Sequence, residues 1–144
     1  MNLPFDLSLP VALPLPVTLG TAGLLGLVYL VLALRIVFGR FRLRVSLGDG
    51  GHGVMQRRIR AHGNFAEYVP LLLLFMALFE LAGERRGLLV GAGALLVLAR
   101  LSHAVGIEIP RAPNPFRAFG SSVTFLLLLA ASVRALVLAV QHLD

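Results

Sequence analysis

VTLGTAGLLGLVYLVLALRIVFG, residues 17–39, decides the fold. A hydrocarbon core roughly 30 Å thick is crossed by about 20 helical residues, and this run is long and apolar enough to do it. Three more such runs follow: residues 61–83, with VPLLLLFMALFELAG at the deep end, residues 87–105, GLLVGAGALLVLARLSHAV, and residues 119–141, FGSSVTFLLLLAASVRALVLAVQ. Lipid offers backbone N–H and C=O groups no partner, so each run is expected to be a helix. The expected fold is all-α: one domain over residues 1–144, an integral membrane four-helix bundle. Residues 1–16, MNLPFDLSLPVALPLP, carry Pro4, Pro10, Pro14 and Pro16 behind no basic stretch. They read as an extended N-terminal tail rather than a cleaved signal peptide.

Composition agrees. Hydrophobic residues make up 58% of the 144, against 14% charged, and mean hydropathy is +0.88. Soluble domains hold about 45–50% apolar residues, and so few charges could not cover the surface of one. The net charge of +6 comes with 13 arginines and no lysine. A basic balance can signal nucleic acid, but these arginines sit in short connections between apolar blocks, which excludes that partner. There is no cysteine. Disulfides, cysteine-based metal sites and a protein thiol nucleophile are excluded with it, and no spacing resembles a zinc site.

The connections set the expected orientation. The first, residues 40–60, holds Arg40, Arg42, Arg44, Arg57, Arg58 and Arg60, with Gly48, Gly50, Gly51 and Gly53 marking a flexible loop. The third holds Arg111 and Arg117 among Pro110, Pro113 and Pro115, and the second is the short ERRG turn at residues 84–87. Counting arginines puts the first and third loops in the cytoplasm and both termini outside.

Polar residues within membrane helices are costly and are functional candidates by default. The densest group lies in RRIRAHGNFAEYVP, residues 57–70. At 100° per residue, Arg57, Arg60, Asn64 and Glu67 fall within about 80° of arc, and Tyr68 borders that face. Leu71, Leu74 and Leu78 continue the stripe in apolar form. Such a stripe suits an anionic polar ligand near the cytoplasm and a lipophilic one deeper. Arg100 and His103 share a face of the third helix at i and i+3. Arg117 precedes the fourth, which begins with Ser121, Ser122 and Thr124. Structural roles compete: headgroup anchoring for Arg57 and Arg58, a buried Glu67–Arg100 ion pair, a hydrogen-bonded interior His103, and interhelical bonding by the hydroxyls. His62 points away from the stripe. Glu80 and Arg134 lie near the outer ends of the second and fourth helices and are expected to pair.

The stretch RAHGNFAEYVPL, residues 60–71, resembles the signature of the membrane-associated proteins in eicosanoid and glutathione metabolism (MAPEG), whose pattern is R-A-x-x-N-x-x-E-Y-x-P. ARLSHAVG and NPFRAFG are similar to that family's third-helix and fourth-helix segments, above all in bacterial members. The resemblance implies a homotrimer in a bacterial inner membrane. It further implies a glutathione-dependent transferase or peroxidase, with glutathione bound between subunits at the cytoplasmic face and a lipid or lipophilic electrophile entering from the bilayer. By the same resemblance Arg57, Arg60, Asn64, Glu67, Tyr68, Arg100 and His103 bind glutathione, and Arg117 is the catalytic arginine facing the thiol. The chemistry is compatible: arginine forks match carboxylates, Glu67 matches an ammonium, and a nearby cation lowers the pKa of a thiol. Gly63 stands where the prostaglandin-forming branch has another arginine, and Ile107 where several eicosanoid enzymes have tyrosine, which argues against an eicosanoid synthase. A non-catalytic lipid-binding scaffold and a small-solute channel are the alternatives.

Overall fold

The computed structural model describes residues 15–110 and 112–143; the N-terminal tail expected over residues 1–16 lies almost wholly outside them. Four helices follow in order: α1 (Pro16–Leu43), α2 (Gly53–Leu81), α3 (Arg86–Glu108) and α4 (Pro115–Gln141). All four are long and apolar enough to cross a membrane. The protein is an all-α integral membrane bundle.

The helices run past the apolar windows that announce them. At 1.5 Å per residue, the 28 residues of α1 reach about 42 Å, against roughly 30 Å of hydrocarbon. Hydropathy marks the part of a helix in the bilayer core, whereas its ends continue into the headgroup layer. α2 therefore starts at Gly53, eight residues before the expected 61, and the flexible connector shrinks to residues 44–52. Arg57, Arg58 and Arg60 are helical residues, not loop residues. α4 starts at Pro115 rather than 119, because Asn114 caps it and proline suits its first turn. Pro70 lies inside α2, tolerated as prolines in membrane helices are when neighbouring groups compensate the lost bond.

α3 and α4 share the broadest helix–helix interface, α1 lies on α2 and α3, and α1 and α4 do not touch. The core between them is built from Leu25, Leu32, Phe65, Val69, Leu72 and Leu96. Most of α4 faces away from its own chain, with Leu126, Leu129 and Leu136 exposed. In a membrane these side chains meet lipid or another protein, and neither carries the penalty that water would.

Glu80 does not pair with Arg134. Its Oε1 accepts the Val17 N–H at 2.9 Å and its Oε2 the Thr18 N–H at 2.8 Å. Arg134 pairs instead with Glu84 in the α2–α3 turn. The reason is that a helix N-terminus is itself a positive end with orphan donors, and α1 offers that end to α2. Glu80 thus acts as an N-cap supplied by another helix. Glu80→Ala is expected to cost about 1 kcal/mol, as for lost caps. Because Glu80 and Arg134 share no partner, the Glu80→Ala and Arg134→Ala losses should add in thermal unfolding. A loss in the double variant well below that sum would restore the direct pair.

Candidate functional site

Four antiparallel helices bring the end of α1, the start of α2, the end of α3 and the start of α4 to one end of the bundle. There a polar cleft of ≈ 510 Å³ opens between α2, α3 and α4. Five of the eight expected site residues line it: Arg57, Arg60 and Asn64 from α2, His103 from α3 and Arg117 from α4. Gln56 and Ser121 complete its polar wall. The α2 members share a face because they lie three, four and seven residues apart.

Arg100 stands behind this wall. It is 2% exposed, and its Nη2 donates to Asn64 Oδ1 at 2.9 Å. Its Nε and Nη1 are buried without a partner. The Glu67–Arg100 ion pair is therefore not formed. Glu67 reaches back along its own helix instead, to Arg60 Nη1 at 2.9 Å, with both side chains largely exposed. Seven residues is two helical turns, and a long arginine spans it, whereas Arg100 is already enclosed by α3 and Asn64.

Glu67 and Tyr68 do not line the cleft. Glu67 is exposed, and Tyr68 packs edge-on against Phe125 of α4 with ring centroids 5.5 Å apart. His62 stacks on Tyr29 at 4.4 Å, away from the polar stripe as expected. The hydroxyl of Thr124 returns to Gly120 O of its own helix at 2.7 Å.

Three contributors were not singled out in the sequence. Asn114 accepts the Arg117 N–H at 3.2 Å through Oδ1 and donates to Gly106 O at 2.9 Å through Nδ2. It caps α4, ties α4 to the end of α3 and so sets the direction in which Arg117 leaves. The Asn-Pro pair before an apolar run was its legible signal. Arg35 of α1 and Glu108 of α3 form an ion pair at 3.1 Å at the same end of the bundle. An arginine inside the first apolar run and an acid near the end of the third were the available hints.

Among the described residues, Arg57, Arg100 and Arg117 have no carboxylate partner. Arg57 and Arg117 line the cleft and Arg100 lies behind it, so an anion entering there meets guanidinium charge that nothing described neutralises. The apolar cavity lined by Phe75, Met76 and Leu127 and bordered by Glu84 and Arg134 is a separate feature. Met76 lies twelve residues along α2 from Asn64, about 18 Å away.

The MAPEG family model matches residues 18–137, nearly the whole helical bundle. Among curated proteins, inner membrane protein YecN of Escherichia coli strain K12 is 36% identical over 69 residues, covering 48% of this chain and 53% of that protein. The protein of the same name from Escherichia coli O6:H1 strain CFT073 matches to the same extent. The chain spans about half the length of the curated relatives it matches.

Proposed function

The chain belongs to the MAPEG family, and from that membership we propose that it is a membrane-embedded, glutathione-dependent transferase or peroxidase. The observation that carries this reading is the cleft in which Arg57, Asn64, His103 and Arg117 converge, where neither Arg57 nor Arg117 has a carboxylate partner among the described residues. Glutathione brings two carboxylates, an ammonium and a thiol. Arg57 and Arg60 suit the carboxylates as bidentate donors. Asn64 and His103 suit the peptide groups. Glu67 suits the ammonium, once it gives up Arg60.

Arg117 is the proposed catalytic residue. A thiol with a pKa near 8.5 is largely protonated at neutral pH, and an adjacent guanidinium favours the thiolate. The thiol proton leaves to solvent through the open cleft. The sulfur then attacks a lipophilic electrophile, forming a C–S bond as the leaving group departs with the bonding pair. With a lipid hydroperoxide, two glutathiones are oxidised to their disulfide while the hydroperoxide becomes an alcohol and water. The exposed apolar face of α4 and the exposed position of Glu67 outside the cleft support a site completed by another copy of the chain, in a homotrimer. The arginine count of the α1–α2 and α3–α4 connections supports a cytoplasmic cleft with both termini outside.

One observation favours a scaffold without chemistry. Arg60 already pairs with Glu67, and Asn64 Oδ1 already accepts from Arg100 Nη2. Thermal unfolding in mild detergent with millimolar glutathione separates the readings. Ligand at 100 times its dissociation constant stabilises by about 2.7 kcal/mol. The parent should gain this, Glu67→Gln should lose most of it, and Arg117→Ala should keep binding while losing thiolate absorbance and turnover. No shift at any glutathione concentration would leave only the scaffold.

A further inference from the structure

The cleft is not the only cationic recess at this end of the bundle. A second one, of ≈ 380 Å³, opens between the end of α1 and the start of α2, lined by Gly39, Arg42, Leu43, His52, Val54 and Arg58 among others. On α2, Arg58 is about 120° round from Asn64, so the two recesses use different faces.

Several features make this a built recess. Gly39 is buried, and a Cβ there would fall 2.7 Å from Arg58 Nη1 and 2.6 Å from Met55 Sδ. The missing side chain is what lets α2 seat Arg58 against α1. Arg58 Nη1 is fixed by Arg35 O at 3.1 Å, while its Nε is buried without an acceptor. Neither Arg42 nor Arg58 has a carboxylate partner among the described residues. The nearby acid of the loop, Asp49, is turned to the Gly51 N–H at 2.9 Å.

The depth of the recess selects its occupant. An α1 of about 42 Å exceeds the hydrocarbon by about 12 Å, so its last turn, with Arg42, rises into the headgroup layer. Phe38 lies one turn nearer the membrane centre on the same face as Arg42 and is 65% exposed. Cation above and bare aromatic below match a phosphate group with an acyl chain beneath it. We propose that this recess binds the phosphodiester of an anionic membrane phospholipid, with Arg42 and Arg58 as its charge partners and Phe38 against its acyl chain. Basic pockets at membrane interfaces hold such headgroups. This site is independent of glutathione binding.

The test is native mass spectrometry of the full chain in mild detergent, titrated with phosphatidylglycerol or with phosphatidylcholine of the same acyl chains. The parent should retain phosphatidylglycerol preferentially. Arg42→Gln, at an exposed position, should lower that retention about fivefold, the effect of one interfacial arginine. Arg44→Gln, two residues on and outside the recess, should leave it unchanged. Gly39→Ala should weaken it by displacing Arg58. Equal retention of the two lipids overturns the proposal. Equal losses in Arg42→Gln and Arg44→Gln overturn it as well, because they would mean a diffuse positive surface. So does displacement of the lipid by millimolar inorganic phosphate, which would mean a site for the free anion.

Discussion

Gly120→Ala is expected to lose about 3 kcal/mol of stability, the upper end of the usual cost of overpacking. A Cβ at Gly120 would meet Ala99 O at 2.5 Å, His103 Cβ at 2.6 Å and His103 N at 2.7 Å. The contact is reciprocal, because a Cβ at Gly106 of α3 would run into the backbone of Arg117 in α4. Two of the three atoms around Gly120 are backbone, so no rotamer change relieves the clash and the helices themselves must part. His103 and Arg117 line the cleft from either side of this crossing, so the same variant should widen the cleft and weaken any ligand that bridges it. The control is Gly87→Ala, where a Cβ meets nothing within 4 Å. Helix propensity alone should make that change neutral or stabilising by up to about 1 kcal/mol. Thermal unfolding of both variants in the same detergent decides the matter, and a Gly120→Ala protein that unfolds with the parent would refute the close crossing.

The second large effect concerns Arg100. Asn64→Ala removes the one acceptor of a buried guanidinium, and a loss of about 3 kcal/mol is expected, as for a buried charge left unsatisfied. Arg100→Met removes the cation itself and leaves a neutral asparagine facing a roomy polar cleft. It should cost clearly less, since an uncompensated buried charge is worse than an apolar side chain of similar length. Unfolding of the two variants and the double variant, by denaturing-detergent titration, gives the order directly. Asn64→Ala should improve when Arg100→Met is added. If Arg100→Met proves the more damaging single change, the guanidinium has a neutralising partner beyond the described residues, and a neighbouring copy becomes the place to look.

The membrane character and number of the helices were legible because four separate windows pass the length and hydropathy a bilayer demands. The α2 face was legible too: Arg57, Arg60 and Asn64 share it by arithmetic alone. Helix ends were not. Gly53 to Arg60 reads as loop by composition, yet a helix leaving the hydrocarbon keeps its own hydrogen bonds and continues through arginine and glycine. The ion pairs were misread for a common reason. The expected Glu80–Arg134 pair, and the Glu67–Arg100 pair weighed as a structural alternative, matched formal charges and ignored both the positive end of α1 and the reach of Arg60 along its own helix. That Glu67 and Tyr68 stand outside the cleft was equally hidden, because a helical wheel gives direction around one helix and says nothing of where its neighbours end. Asn114 was the readable residue left unread.

The pairing of α3 with α4 also has a meaning in time. The ribosome delivers α2 before them, so Arg57, Arg60 and Asn64 reach the bilayer while the helices that will face them are still being made. Until α3 arrives, Asn64 has no guanidinium to hold; until α4 arrives, no second wall closes the cleft. Ser102 Oγ, which donates to Phe116 O at 2.9 Å, and Asn114 bind neighbours fewer than fifteen residues away, so this hairpin can fasten itself as soon as both halves are in lipid. The N-terminal hairpin thus carries a polar face whose partners come from the C-terminal one.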